Sequence, residues 1–309
     1  MLDQVEHVRA ALCELGEPHR ILSVRTLADV SRVLSHARED VVFNLVEALA
    51  DPATVPLVPA LCVWHGKACT GGTAWALQLT QHKQLTKQLL AATGLPVPPG
   101  VVVPPGAPVP ARSLPPGQLI VKPLATDASE GISAASVCTG YGPRLRRAVR
   151  QIHQHFTQPA LIESFFGTRE LQAALLEVAG APRVLTIAEI DFSAFPPHKP
   201  RIVDYAAKWL PHTFEYQFTP RVIPAPLTPR LRAQVARAAI TAWRVTGCHD
   251  YARVDFRMDA HGRFVILEVN VNPDIAPEAG YVAALAAARV SFPRFVQIVL
   301  ANARQRIRS

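Results

Sequence analysis

Two polar residues interrupt an apolar run near the C-terminal end: in FVILEVNVNPD, residues 264–274, Glu268 and Asn270 stand among strand-forming Val, Ile and Leu. A carboxylate and an amide on the edge of a buried strand are costly without a compensating partner. Just upstream, DYARVDFRM alternates Tyr251, Arg253, Asp255 and Arg257 with Ala252, Val254, Phe256 and Met258, dividing a strand into a polar and an apolar face. The intervening D-A-H-G is turn-like, so the two runs make a hairpin. A turn symmetric about Ala260 and His261 sets Asp255 opposite Ile266 and on the face of Glu268 and Asn270, whereas an odd-length loop or a bulge reverses that parity. Two carboxylates and an amide oxygen converging there raise one another's pKa unless a cation lies between them. Oxygen ligands without Cys or His suit Mg²⁺, which keeps several waters and shares its remaining positions with phosphates. The plainer reading is a solvated edge on which Arg253 and Arg257 pair with the acids, and the hairpin alone leaves both open.

The elements around this hairpin belong to an ordinary globular chain. At 309 residues, 49% hydrophobic and 18% charged, it can bury the cores of two or three domains, and disorder is not its default. No apolar run approaches the roughly 20 residues of a membrane span, and MLDQVEHVRA lacks the basic start and hydrophobic middle of a secretory signal, which sets a cytoplasmic expectation without a membrane partner. The net charge of +8 is spread along the chain except in RLRR and RQRIRS, so nucleic acid is disfavoured and a polyanionic small molecule such as a nucleotide accounts for part of the surplus. Cys13, Cys62, Cys69, Cys138 and Cys248 are odd in number and form no C-x-x-C pair, and they read as free thiols.

Along the chain, DQVEHVRAALCELG reads as a helix ended by Gly16, and RILSV and VVFNLV as short strands, the pattern of half a doubly wound α/β unit that begins with a helix. HKQLTKQLLAATG reads as a helix stopped by Gly94, followed by strands at VVV, QLIVKP and ISAASV, a helix over 143–155 and a strand at ALIESF. ELQAALLEV and RVLTIAEI read as further strands. TPRLRAQVARAAITAWRVTG is a helix with Thr228 as cap, Pro229 in the first turn and Gly247 as stop. Domain boundaries follow at 1–80, 81–166 and 167–309.

ARVDF followed by ILEVNVNPD resembles the metal-binding signature of the ATP-grasp superfamily, in its D-alanine–D-alanine ligase-like branch. VVFNLVEAL, TGGTAWALQLTQHKQLTKQLL, LIVKPLATDASEGIS, LIESFFGTREL and VDYAAKW resemble further blocks of that family, in its order. The resemblance implies a three-domain ATP-grasp fold of α/β and α+β type with a truncated-looking, Rossmann-like N-terminal domain. It implies that Asp255, Glu268 and Asn270 hold one or two Mg²⁺ ions, with Mn²⁺ an admissible substitute, on the phosphates of ATP. Lys83, Lys122 and Lys208 match phosphate-contacting lysines, and Ser129 lies in the loop that folds over the phosphates. Glu163 and the segment through Phe165 and Phe166 match the adenine hinge, Glu170 the ribose contact, and Arg253 the arginine that stabilises the oxyanion. Independently of family, Lys122 in apolar LIVKP needs an anion, and neither a P-loop nor a convincing G-x-G-x-x-G occurs.

The implied reaction is ATP-dependent, ADP-forming ligation of an amino-acid-like carboxylate to an amine through an acylphosphate. Departures fall on the substrate side. The family's first strand and its acidic loop have no counterpart before MLDQVEHVRA, Trp209 follows Lys208 where the dipeptide ligases usually have tyrosine, Ala128 stands where they usually have serine, and His82 replaces an aspartate beside Lys83. A product other than D-alanyl-D-alanine is therefore expected, with the true dipeptide ligase, a cyclising ligase and a non-catalytic ATP-binding protein as alternatives. Glu47, Trp209 and Asn272 are the candidate substrate residues, and a homodimer is left open.

Overall fold

The chain opens, in a computed structural model that describes residues 2–308, with α1 (Leu2–Glu14), α2 (Leu27–Ser35), β1 (Val41–Val42), α3 (Val58–Trp64), β2 (Ala68–Cys69) and α4 (Ala74–Gln81). Strand β1 pairs in parallel with β2 through Val41–Ala68 and Val42–Cys69 only. RILSV, expected as a strand, forms none: Ile21 and Leu22 are exposed and no neighbouring strand takes up their backbone groups. VVFNLV keeps only Val41–Val42 because Asn44 turns the chain away, its side-chain oxygen accepting from the Val46 N–H at 3.2 Å while its own N–H donates to Thr70 Oγ1 at 3.0 Å.

Next come α5 (Lys83–Ala92), β3 (Gly100–Val103), β4 (Gln118–Pro123), β5 (Val137–Thr139), α6 (Pro143–Phe156) and β6 (Ala160–Ser164), whose strands form one sheet in the order β3-β6-β4-β5. His82 caps α5, its Nδ1 accepting from the Leu85 N–H at 3.2 Å. ISAASV is a strand only from Val137 onward, since Ser133 and Ser136 cap each other around a tight helical turn. Helix α6 buries Leu145, Ala148, Val149 and Ile152 against this sheet.

The last region adds β7 (Arg169–Val178), β8 (Ala181–Ile190), α7 (Tyr205–Trp209), α8 (Phe214–Gln217), β9 (Arg221–Val222), α9 (Pro229–Thr246), β10 (Tyr251–Met258), β11 (Phe264–Asn270), α10 (Gly280–Ala287) and α11 (Phe292–Arg308). Its five strands run in the order β11-β10-β7-β8-β9. Helix α9 begins as its sequence predicts, Thr228 accepting from the Leu231 N–H, and ends at Gly247 with φ 69°. It covers the sheet face formed by Leu171, Ala173, Leu175, Val254 and Phe256. One end of the opposite face, around Ala174, Leu176 and Tyr251, packs against α1, α10 and α11. The other end of that face carries the charged side chains and meets the short helix α7 and strand β4 around a narrow cavity. No single helix among the described residues is long and apolar enough to cross a membrane.

Candidate active site

The hairpin register differs from the symmetric turn, and two irregularities cancel. Met258 pairs with Phe264, leaving a five-residue connection centred on His261, and Phe256 pairs with Ile266. An odd loop alone would put Leu267 across from Asp255. A bulge between Asp255 and Phe256 absorbs Leu267, so Asp255 lies opposite Glu268, not Ile266, and Arg253 opposite Asn270. Directly paired residues share a face, which brings Arg253, Asp255, Glu268 and Asn270 together as the polar alternation predicts. The bulge also lets Leu267 line a narrow cavity with Ile120, Phe165, Ile202 and Val203, although simple alternation would turn it away from Glu268.

Arg253 clamps Asp255 with both arms, Nε to Oδ1 at 2.7 Å and a terminal nitrogen to Oδ2 at 2.8 Å. The pairing of the plainer reading is thus present, but in a buried setting: Asp255 is 4% exposed. Burial pushes the Asp255 carboxyl up, with Arg253 opposing. Burial acts on Glu268 in the same direction, yet Lys208, Lys83, Arg253 and Lys122 outweigh it and hold that carboxyl below its ordinary value. Among the described residues no group of three or more His, Cys, Asp or Glu side chains gathers as a metal cage. Two carboxylates and the Asn270 amide instead make a partial, hard-oxygen set. Arginine occupies only part of the lone-pair capacity of Asp255, and such a set fits Mg²⁺ that completes its shell with water and phosphate oxygens.

Facing this sheet, β4 and β6 build a second charged cluster. Glu163, 1% exposed, accepts from Lys87 at Oε1, and Lys122 Nζ stands 2.9 Å from Oε2. Burial raises the Glu163 carboxyl, but the two lysines pull it down to about 2. Lys87, desolvated more than Glu163 compensates, falls to about 8. Lys83 donates to the Thr126 carbonyl, which fixes it at the root of the loop over residues 126–132. Lys87 was not among the sequence candidates. Its signal was present: Lys83, Thr86, Lys87 and Leu90 follow i, i+3, i+4, i+7 spacing, and all are buried on one face of α5.

The hinge after β6 is organised by Arg257, which sequence reading treated only as a surface partner for acids. It is 3% exposed and donates to the carbonyls of Phe166 (2.6 Å), Gly167 (2.8 Å) and Arg201 (2.8 Å). Its guanidinium lies 4.3 Å from the Phe165 ring centre and 3.4 Å from Glu170 Oε2. Burial pushes the Glu170 carboxyl up, with Arg257 opposing. Phe165 and Glu170 open onto the cavity, whereas the Glu163 side chain and the Phe166 carbonyl are engaged with protein partners.

Residues 126–132 fold over the gap between the sheets in a conformation that side chains rarely adopt, with φ of 56° at Ala128, 61° at Ser129 and 71° at Gly131. A Cβ at Gly131 would come within 2.7 Å of both Phe156 and Pro123. Ser129 Oγ donates to the Val203 carbonyl at 2.9 Å, the Tyr205 N–H to Ile132 at 3.2 Å, and Trp209 Nε1 to the Ala128 carbonyl at 2.9 Å. The space beside Lys208 is about 60 Å³, far below the roughly 300 Å³ of a small ligand pocket. A larger cavity, about 250 Å³ behind β4, lies away from the charged side chains.

The substrate candidates are dispersed. Glu47 is exposed and accepts from Gln4 Nε2 at 2.6 Å, while Gln4 Oε1 accepts from the Ile275 N–H at 3.2 Å. Asn272 Oδ1 accepts from the Gly72 N–H at 3.3 Å, tying the segment after β11 to TGG, and Gly71 has room for no side chain there. Trp209 is spent on the loop. Gln4, 5% exposed on α1, was missed, and a lone glutamine on a helix gives no signal by which to find it.

The family described as D-ala D-ala ligase C-terminus matches residues 112–301. A D-alanine–D-alanine ligase of Streptomyces avermitilis is 31% identical over 188 residues, 61% of this chain and 45% of that relative. Another, from Gluconobacter oxydans, is 30% identical over 288 residues, 92% of this chain and 87% of the relative. The crystal structure of the D-alanine–D-alanine ligase from Bacillus anthracis complexed with ATP matches with a TM-score of 0.78 at 14% identity, over 99% of this chain and 94% of that one, a likeness of fold.

Proposed function

The chain belongs to the D-ala D-ala ligase family, matched over residues 112–301, and on that premise we propose that it is an ATP-dependent, ADP-forming ligase joining an amino-acid-like carboxylate to an amine. The observation that carries this reading is the bulged hairpin: it sets Asp255 beside Glu268 on one face, within the field of Lys83, Lys122, Lys208 and Arg253. Nothing in a structural role calls for that much opposed charge in a closed gap.

Bound Mg²⁺–ATP supplies the phosphoryl group that turns the carboxylate into an acylphosphate, from which the amine displaces phosphate to give an amide, with ADP left behind. Asp255, Glu268 and Asn270 would hold the metal. Lys83, Lys122 and Lys208 place positive charge where phosphate oxygens gather, and Arg253, already oriented by Asp255, stands ready to offset charge on the tetrahedral centre. Phe165, Leu267, Ile202 and Val203 wall the base, and Glu170 takes the ribose. Residues 126–132, held by Trp209 and Ser129, keep water from the activated carboxyl.

The product is something other than D-alanyl-D-alanine. Where the dipeptide ligases usually place the hydroxyls of tyrosine and serine, this chain has Trp209 and Ala128, joined indole to carbonyl, so neither offers a hydroxyl to an amino acid. Incubation of the pure protein with Mg²⁺, ATP and pools of D- and L-amino acids and related amines, following ADP, AMP and product mass, tests the whole reading. ADP release that depends on one pool, with a product of matching mass, is expected. A product lighter than its single substrate by one water identifies the cyclising form. AMP formation contradicts the acylphosphate route, and nucleotide binding without turnover leaves a binding protein.

A further inference from the structure

One buried polar side chain on the active-site face has no protein partner. Gln172 lies in the middle of β7, paired on one side with Asp255 and on the other with Ala188. Its neighbours Leu171 and Ala173 pack into the core beneath α9, so alternation turns Gln172 to the opposite face, that of Asp255 and Glu170. It is 8% exposed, and its carboxamide makes no hydrogen bond to any described residue. Other buried polar side chains on this face are engaged: Asp255 by Arg253, and Glu170 by Arg257. Among the described residues Glu163 Oε2 is the sealed side-chain atom without a hydrogen-bond partner, so the unpaired amide of Gln172 keeps an opening to solvent, and a ligand that enters there finds its donor and acceptor uncommitted.

Its row in the sheet says which part of a ligand that is. Glu170, two residues back on β7, pairs with Arg257 at the level of the hinge, whereas Gln172 is level with Asp255 and Glu268. That step is about 7 Å along the strand, from the ribose end of the gap toward the metal ligands. Lys208 and Lys83 act electrostatically on the same row through Glu268. We propose that Gln172 is a further triphosphate-binding residue whose carboxamide N–H donates to a non-bridging phosphate oxygen of the nucleotide. This rests on the reading of the gap as an ATP site.

The test compares Gln172→Leu, Gln172→Glu and Glu268→Gln with the wild type by calorimetric titration of Mg²⁺ with a non-hydrolysable ATP analogue, by titration of adenosine, and by melting temperature without ligand. Gln172→Leu removes an amide that no protein group pairs with, at similar volume, so the empty protein melts within about 2 °C of wild type. Its Kd for the analogue rises about tenfold, its Kd for adenosine is unchanged, and Gln172→Glu binds the analogue more weakly still. An unchanged analogue Kd in Gln172→Leu, an equal loss for adenosine, a large drop in melting temperature or tighter binding by Gln172→Glu overturns the assignment. If the wild type fails to bind the analogue, or Glu268→Gln binds it equally well, the ATP-site reading itself has failed; loss in Glu268→Gln with no change in Gln172→Leu removes only the inference.

Discussion

The two ends of the gap are built by different means. At the end proposed to take the nucleotide, β4, β6, β7, β10 and β11 hold Lys122, Glu163, Glu170, Asp255 and Glu268 on regular ladders, most of them almost wholly buried. At the N-terminal end the sheet is β1 and β2, two residues each, and the candidate substrate contacts hang on single hydrogen bonds such as Gln4 to Glu47 and Gly72 to Asn272. Buried charges tolerate little displacement, because each must meet its counter-charge or lose several kcal/mol. Single bonds between loops can be exchanged at about 1 kcal/mol each. On the proposed function, phosphoryl chemistry would sit on the part of the chain that resists change, and substrate choice on the part that permits it. The family match over residues 112–301 leaves out α1, β1 and β2.

The largest effect expected from this contrast is at Glu268. Replacement by Gln keeps the shape and removes a charge whose field partners are Lys208, Lys83, Arg253 and Lys122. Turnover falls on the order of 10²–10³-fold while the melting temperature moves little, as steady-state ADP release and calorimetry will show. Turnover within twofold of wild type would erase the distinction between the two ends.

Glu163 is next. Gln there leaves Lys87 and Lys122 buried against a neutral amide and lowers stability by about 3–5 kcal/mol, measured by denaturant unfolding. The pH dependence separates the members of the cluster. The Glu163 carboxyl is held at about 2, below its ordinary 4.5, so its stabilisation is complete above about pH 4.5 and is lost as pH falls toward 2. Lys87 has the opposite history: depressed from 10.5 to about 8, it keeps the folded state less protonated than the unfolded chain in that interval. Stability from this group rises between about pH 8 and pH 10.5, and Lys87→Met removes that rise. An identical pH–stability curve in wild type and Lys87→Met contradicts the shift.

This contrast also governs how much the chain discloses without a structure. Asp255, Glu268 and Asn270 were legible because polar residues inside apolar β runs break a period-2 pattern, and Lys122 because it interrupts LIVKP. The register between them was not: the odd loop and the bulge at Leu267 each invert parity, and neither leaves a mark in residue type. Lys87 and Arg257 stayed hidden for another reason. A lysine on an amphipathic helix and an arginine on an alternating strand look solvated until a second sheet closes over them. RILSV shows the reverse error, since β-forming residues make no strand where no neighbour accepts the ladder.

A smaller effect is expected at the loop that joins the two ends. Trp209→Phe keeps the ring and removes the N–H that holds the Ala128 carbonyl. One hydrogen bond of about 0.5–1.5 kcal/mol is lost, so the closed loop opens more often and water reaches the activated carboxyl. The ratio of ADP released to product formed rises roughly three- to tenfold, with little change in the KM for ATP. A ratio that stays at one indicates that Ser129 and the Tyr205 N–H hold the loop without the indole.

The smallest effect belongs to the N-terminal end. Gln4→Ala breaks the bridge that runs from the Ile275 N–H through the buried amide to Glu47, at a cost of about 1–2 kcal/mol in stability. The bridge touches no group of the nucleotide cluster, so the KM for ATP is expected to remain within twofold. Glu47 is freed from its only side-chain hydrogen bond among the described residues, and the segment after β11 loses its anchor to α1. Substrate KM should therefore rise about threefold, with kcat and the KM for ATP preserved, once a substrate has been identified by product mass. If the KM for ATP shifts as much as that for the substrate, the two ends are mechanically one, and the division drawn from their construction does not extend to function.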